Sequence, residues 1–69
     1  MNFRDLTRKL KRLGCEYIRP VAGSHEIWWR PSHQCFTTIP KHANRDLPTG
    51  TLRAIIRDLQ ITKTEFDQA

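Results

Sequence analysis

The sequence predicts an α+β domain in which a three-stranded antiparallel sheet carries helices on one face. An amphipathic helical pattern opens the chain, three short strand-like segments follow, and a second amphipathic helical pattern comes after them. At 69 residues the chain has room for one domain, which we place at residues 1–69. The expected order is α-β-β-β-α with a short extra helix at the C-terminus.

The first predicted helix lies at the N-terminus, in NFRDLTRKLKRLG. Apolar residues recur there at spacings of three and four, and Gly14 follows them as a helix stop. These apolar residues are Phe3, Leu6, Leu10 and Leu13. The pattern predicts a helix of about three turns with one face directed to a core.

Three strand-like segments follow this helix. They are CEYIRP, the stretch from Ser24 to Arg30, and FTTIP. Pro20 and Pro40 close the first and the third, because proline cannot donate to a β-ladder. The connection PSHQC has the length expected of a hairpin loop.

The register of this hairpin predicts the neighbour of His25. If Arg30 pairs with Phe36, strict antiparallel pairing places His25 opposite Lys41. A slip of one residue would bring His42 to that position instead. In both cases a basic or titratable side chain would flank His25.

The same register predicts which side chains share a face of the sheet. One face would hold His25, Ile27, Trp29, Thr37, Ile39 and Lys41. We assign this face to the helix-packed side because its middle is the more aliphatic. Trp28 and Phe36 would then lie on the more open face.

The remaining helical signals lie near the C-terminus. The segment TLRAIIRDL has an apolar stripe, with Arg53 and Arg57 one turn apart outside it. Its apolar residues are Leu52, Ile55, Ile56 and Leu59. In ITKTEF, Thr62 is a predicted N-cap and Glu65 completes a capping box, which predicts a short terminal helix.

The charge of the chain favours a polyanionic partner. Lys and Arg number 12 against 7 Asp and Glu, so the formal net charge is +5. The first helix carries a concentrated set of cations: Arg4, Arg8, Lys9, Lys11 and Arg12. A basic domain that is merely well solvated is the competing interpretation.

The cysteine spacing and the lack of a long apolar run indicate in which compartment of the cell the protein is expected. Cys15 and Cys35 have no C-x-x-C spacing, and the sequence has no secretory segment or long apolar run. We therefore expect a cytoplasmic protein with two free thiols and no membrane contact. His25, His33, Cys35 and His42 raise the question of zinc, but their spacing fits no standard structural site, so neither a metal nor another cofactor is predicted.

The segment AGSHEIWWR places a histidine at the start of a strand. Imidazole exchanges protons near neutral pH, which suits acid–base catalysis, but the pattern alone favours a spacer in the strand as the role of His25. Gly23 would either provide a turn with positive φ or let a phosphate approach the backbone. Ser24 would either contact a phosphate oxygen or cap the start of the strand.

The chain resembles the HicA toxin family of bacterial toxin–antitoxin pairs. The matching features are a first helix ending in LG, the arginine of YIRP, and the segments GSHEIW, TTIPKH and GTLRAIIRDLQI, in the family's order over almost the whole chain. The resemblance implies a fold like that of double-stranded-RNA-binding domains. It also implies a metal-independent endoribonuclease that cleaves mRNA, with His25 as its catalytic residue.

The resemblance further implies a partner, a HicB-type antitoxin that covers the active site, with DNA contacted only through the antitoxin complex. Two positions depart from the family pattern. Many members have a basic residue before the glycine and a second histidine after the first, whereas this chain has Ala22 and Glu26. Any help that those residues give elsewhere is absent or replaced here.

Cleavage without a metal can proceed by attack of a ribose 2′-OH on the adjacent phosphate. We expect His25 to act as general base or acid, and Lys41 or Arg19 to offset the developing charge. The Lys41 role is inferred from the predicted register alone.

Other residues are expected at the edge of this site. Gly23, Ser24, Arg53 and Arg57 are candidate contacts to RNA or phosphate, and the helical cations would track phosphates with little sequence preference. Trp28 and Phe36 would stack bases or be buried by the antitoxin, with burial the preferred interpretation. The alternative function is a module that binds double-stranded RNA by shape and cleaves nothing.

Overall fold

The computed structural model describes residues 1–41 and 45–69. His42, predicted as the neighbour of His25 after a register slip, lies outside these residues. The elements in chain order are α1 (Phe3–Arg12), β1 (Glu16–Val21), β2 (His25–Arg30), a 3-10 turn (Pro31–His33), β3 (Cys35–Pro40), α2 (Thr49–Asp58) and α3 (Lys63–Gln68). The predicted α-β-β-β-α order with a short terminal helix is confirmed.

Local capping signals set the ends of α1 and the start of α3, and of these the stop at Gly14 and the capping box of α3 were predicted. The side chain of Asn2 accepts a hydrogen bond from the Asp5 N–H at 2.8 Å, and Gly14 follows α1 with φ +86°. At α3, the Thr62 hydroxyl accepts from the Glu65 N–H at 3.1 Å, and the Thr62 N–H donates to the Glu65 carboxylate at 2.9 Å. This reciprocal pair is the predicted capping box.

The three strands form one antiparallel sheet with β2 in the centre. The predicted register between β2 and β3 is wrong by one residue, because His25 pairs with Pro40 and Arg30 pairs with Cys35. The loop is shorter than predicted: residues 31–34 connect the strands through the 3-10 turn and Gln34, whose φ is +51°. A left-handed residue at this point lets the chain reverse in four residues.

The one-residue change of register moves the side chains of β2 to the other face of the sheet relative to those of β3. Thr37, Ile39 and Phe36 lie on the faces predicted for them, but His25, predicted on the helix-packed side, lies on the side away from the helices. Trp28, Thr37 and Ile39 are each at most 4 % exposed and pack towards the helices, so the prediction that Trp28 lies on the open face is wrong. No helix in residues 1–41 and 45–69 covers the opposite face, which carries His25, Ile27, Trp29, Phe36 and Thr38. We call this side the open face.

The core lies between the other face of the sheet and the helices. Its most buried side chains come from α1, β3, α2 and the segment that follows α2: Leu6, Leu10, Ile39, Ile55 and Leu59. Phe66 of α3 closes the same cluster. The layer arrangement, with helices on one face of a three-stranded sheet, confirms the predicted fold class.

One buried cation ties the hairpin to the helices. The guanidinium of Arg30 is 4 % exposed and donates to the carbonyl oxygens of Leu59 and Gln60 at 3.2 and 2.8 Å and to the Glu65 carboxylate at 2.7 Å. The first two bonds satisfy carbonyl groups that the end of α2 leaves without partners. Arg30 therefore connects the end of β2 to the end of α2 and to the first turn of α3.

Candidate active site

His25 is the first residue of β2 and lies on the open face, partly buried. Its neighbours across the sheet are Val21 of β1 and Pro40 of β3, neither of which carries a side-chain polar group. A turn at residues 22–24 brings the chain back from β1 to this point. The imidazole therefore stands at the end of the sheet, where a ligand can approach from solvent.

Gly23 provides both the turn and free space beside the imidazole. Its φ is +78°, as the prediction of a positive-φ turn required. A Cβ atom placed on Gly23 would lie 3.7 Å from Nδ1 of His25. Because glycine has no such atom, position 23 itself does not block that side of the ring.

Lys41 does not lie beside His25. Its backbone N–H donates to the Ser24 carbonyl oxygen, and its Nζ lies 3.8 Å from Oε2 of Glu26. By the observed register, Lys41 and Glu26 share the face opposite to that of His25. The predicted pairing of His25 with Lys41 is therefore wrong.

Glu26, which departs from the family pattern, has a structural role that the sequence did not reveal. Its side chain is only 15 % exposed, and Oε1 accepts a hydrogen bond from the Trp28 indole N–H at 3.0 Å. The carboxylate thus satisfies the buried Trp28 indole and holds the Lys41 ammonium.

Arg19 is the cation that shares the face of His25. It lies on β1 opposite Ile27, and an irregularity in the pairing between Tyr17 and Arg19 separates it from the pairs further along. Its guanidinium is exposed and donates to the Pro20 carbonyl oxygen at 3.2 Å. Four of its five N–H donors have no partner among the hydrogen bonds of the described residues.

The open face also contains a shallow apolar depression of about 400 Å³. Its lining consists of Ile18, Arg19, Ile27, Trp29 and Phe36. Trp29 and Phe36 are direct partners across the sheet, and the Trp29 indole N–H donates to a Glu16 carboxylate oxygen at 3.2 Å. Sequence reasoning missed Trp29, since two adjacent tryptophans on a strand point to opposite faces and only the register tells which one lies on the open face.

The predicted RNA contacts are not all brought together. Ser24 is exposed in the turn next to His25. Arg53 and Arg57 are exposed on α2, in the layer that covers the other face of the sheet. The cations of α1 belong to that helix layer as well.

Cys15 and Cys35 are both free, and neither is on the open face with His25. Burial raises the pKa of the Cys15 thiol, and the nearby Arg30 only partly offsets this, so the thiol is protonated and poorly nucleophilic near neutral pH.

In residues 1–41 and 45–69, no three His, Cys, Asp or Glu side chains cluster as metal ligands would. None of the helices in those residues is long and apolar enough to cross a membrane.

A comparison with protein families matches residues 3–61 to the family described as HicA toxin of bacterial toxin-antitoxin. The match begins at the first residue of α1, includes the whole sheet and α2, and stops just before the N-cap of α3. The chain belongs to the HicA toxin family. The resemblance seen in the sequence is thereby confirmed, and membership implies an antitoxin partner for this HicA toxin. No curated protein and no solved structure gives a match.

Proposed function

We propose that this HicA toxin is a metal-independent endoribonuclease that cleaves mRNA in the cytoplasm, with His25 as the catalytic residue, and that a HicB-type antitoxin neutralises it. The observation that carries the proposal is the position of His25 on the open face, with the space beside Nδ1 left free by Gly23. Family membership supports the same role, because His25 is the histidine of the family's G-S-H motif.

The proposed reaction is an attack within the RNA strand. The imidazole of His25 takes the proton of a ribose 2′-OH, the 2′-oxygen bonds to the adjacent phosphorus, and the bond from phosphorus to the 5′-oxygen breaks. The resulting imidazolium of His25 returns the proton to the 5′-oxygen, and the products are a 2′,3′-cyclic phosphate and a 5′-hydroxyl. Imidazole suits both proton transfers because it binds and releases protons near neutral pH.

Arg19 is the better placed of the two predicted cations to stabilise the charge that develops on phosphorus-bound oxygens. It shares the open face with His25 and has free N–H donors, whereas Lys41 points to the other face and faces Glu26. We therefore expect Arg19→Gln to slow cleavage by about 10- to 100-fold and Lys41→Gln to have a smaller effect. Equal losses in the two variants would contradict this ranking.

The decisive experiment compares wild type with His25→Ala in cleavage of a mixed RNA substrate in excess chelator. His33→Ala is the matched control, because His33 is an exposed histidine in the hairpin turn, away from the open face. We expect His25→Ala to abolish cleavage and growth arrest while keeping the wild-type melting temperature, and His33→Ala to behave as wild type.

Two outcomes would contradict the proposal. Undiminished cleavage by His25→Ala would remove His25 from catalysis. Salt-sensitive binding of duplex RNA without cleavage by wild type at neutral pH would favour the alternative, a non-catalytic double-stranded-RNA-binding module. Substrates with 2′-deoxyribose throughout test the reaction itself, since they lack the attacking hydroxyl and should stay intact.

A further inference from the structure

We propose that Trp29 and Phe36 form a stacking platform for the unpaired bases of single-stranded RNA. The proposal rests on the ribonuclease function of the same open face and deepens it, because it names the feature of the RNA that the face binds. The two aromatic residues are direct partners in the register of β2 and β3. Side chains paired in this way stand about 5 Å apart and form one continuous surface.

Phe36 is exposed, whereas Trp29 is partly buried and its ring is held in one orientation. Phe36 is 67 % exposed and lies with Ile27 and Trp29 in one apolar patch, and it is the patch rather than a single exposed ring that marks a binding surface. The Trp29 indole is held by its hydrogen bond to Glu16 at 3.2 Å, and its ring lines the depression with Phe36. Flat aromatic rings on an uncovered sheet surface are the arrangement that RNA-binding sheets use to stack two or three bases.

The platform lies along the strand that carries His25. Side chains on one face of a strand alternate, so His25, Ile27 and Trp29 form a row on the open face. Four residues of β-strand span about 13 Å, which places the rings more than one nucleotide away from the imidazole. A base stacked on the platform would belong to the same RNA strand as the phosphate at His25, and would fix its position along β2.

A cation beside the platform and the net charge of the chain favour RNA as the occupant, and Glu16, a carboxylate on the same face, is engaged by the Trp29 indole. Arg19 lines the depression, and its exposed guanidinium can contact a phosphate between the platform and His25. The net charge of +5 draws a polyanion to the domain. Bases in a duplex are paired and stacked on one another, so only unpaired bases can use such a platform.

The test measures binding of an RNA that cannot be cleaved. The probe is a fluorescein-labelled single strand of mixed sequence with 2′-O-methyl groups on every ribose. We expect Trp29→Leu and Phe36→Leu each to weaken its binding by about 5- to 10-fold, because each loses one stacked ring. Trp29→Phe keeps a ring and should bind nearly as tightly as wild type.

Tyr17→Leu is the matched control. Tyr17 is also an exposed aromatic residue, 47 % accessible, but its ring packs edge-on against the buried Trp28 on the other face of the sheet. It should therefore bind the probe as wild type does. Quenching of tryptophan emission by the probe should be lost in Trp29→Leu, since Trp28 is buried and has no contact with a base.

Three outcomes would overturn the platform: probe binding unchanged in both leucine variants, an equal loss for the probe annealed to its complement, or a loss only of affinity for the antitoxin. The last would assign the rings to the protein partner. Failure of the ribonuclease proposal is separable, because it would show as RNA that stays intact with wild type, whatever the affinity for the uncleavable probe.

Discussion

Replacing Gly23 with alanine should reduce RNA cleavage far more than replacing Gly14, although the two changes strain the backbone alike. Gly14 and Gly23 have φ values of +86° and +78°, in the left-handed region that L-residues avoid. Their surroundings differ. A Cβ on Gly14 would meet nothing within 4 Å, whereas a Cβ on Gly23 would lie 3.7 Å from Nδ1 of His25.

The loss of stability should be similar in both variants. An alanine in left-handed backbone costs about 1–2 kcal/mol, and for a domain of this size each kcal/mol lowers the melting temperature by about 4–8 °C. The expected decrease is therefore about 4–16 °C for each. A small core provides only about 3–5 kcal/mol of net stability, so most molecules of either variant should still be folded at 25 °C.

The effect on cleavage should separate the two variants. The new methyl group at position 23 is in van der Waals contact with the imidazole and occupies the space through which water or phosphate would reach Nδ1. We expect a large loss of cleavage rate at 25 °C for Gly23→Ala. For Gly14→Ala we expect little loss when the rate is divided by the fraction of folded protein. Thermal melts monitored by circular dichroism and initial cleavage rates provide the two measurements.

A third variant separates strain from contact at position 23. Asparagine tolerates left-handed backbone better than alanine but also has a Cβ, so Gly23→Asn should recover part of the melting temperature and none of the activity. The reasoning is refuted if Gly23→Ala and Gly14→Ala cleave RNA equally well, or if activity follows melting temperature across the three variants.

Three further predictions concern stability. The hydrogen bond from the Thr62 N–H and the Arg30 guanidinium lower the pKa of the Glu65 carboxyl from 4.5 to about 2, so the ionised carboxylate stabilises the folded state fully above pH 4.5 and progressively less as the pH falls towards 2. Urea unfolding at each pH measures this loss of folding free energy, and a Glu65→Gln variant with the same pH dependence as wild type would contradict the prediction. Leu59→Ala should lower the free energy of unfolding by about 3–5 kcal/mol, because Leu59 is fully buried and the smaller side chain leaves a cavity. This loss is as large as the net stability expected of so small a core, so thermal melts should show no cooperative transition unless the core collapses around alanine. Gly50→Ala should raise stability by about 0.5 kcal/mol, since a Cβ there meets no atom within 4 Å and φ is not positive; a lower melting temperature would show otherwise.

Features with local causes could be predicted from the sequence. The end of α1 follows from a glycine that takes positive φ, and the start of α3 follows from the capping box of Thr62 and Glu65. Each signal lies within a few residues of the element that it ends or begins. The order of elements, and with it the fold class, could be predicted because it needs only these local signals and the periodicity of apolar residues.

The pairing of β2 with β3 could not be predicted, because it depends on one residue of the loop. Gln34 takes φ +51°, a conformation for which a sequence normally signals Gly or Asn, so a longer loop was the natural expectation. The single-residue difference moved Trp28 into the core and Trp29 onto the open face. It also replaced Lys41 with Arg19 as the cation on the face of His25.

The observed register also changes the expected effect of having Glu26 at the position where the family pattern has a second histidine. Adjacent residues of a strand point to opposite faces, so any side chain at position 26 of this chain is directed away from the imidazole of His25. A histidine there would take the place of the carboxylate that holds the Trp28 indole and Lys41, and would not lie beside the first histidine. The departure at Glu26 therefore removes no proton donor or acceptor from the open face.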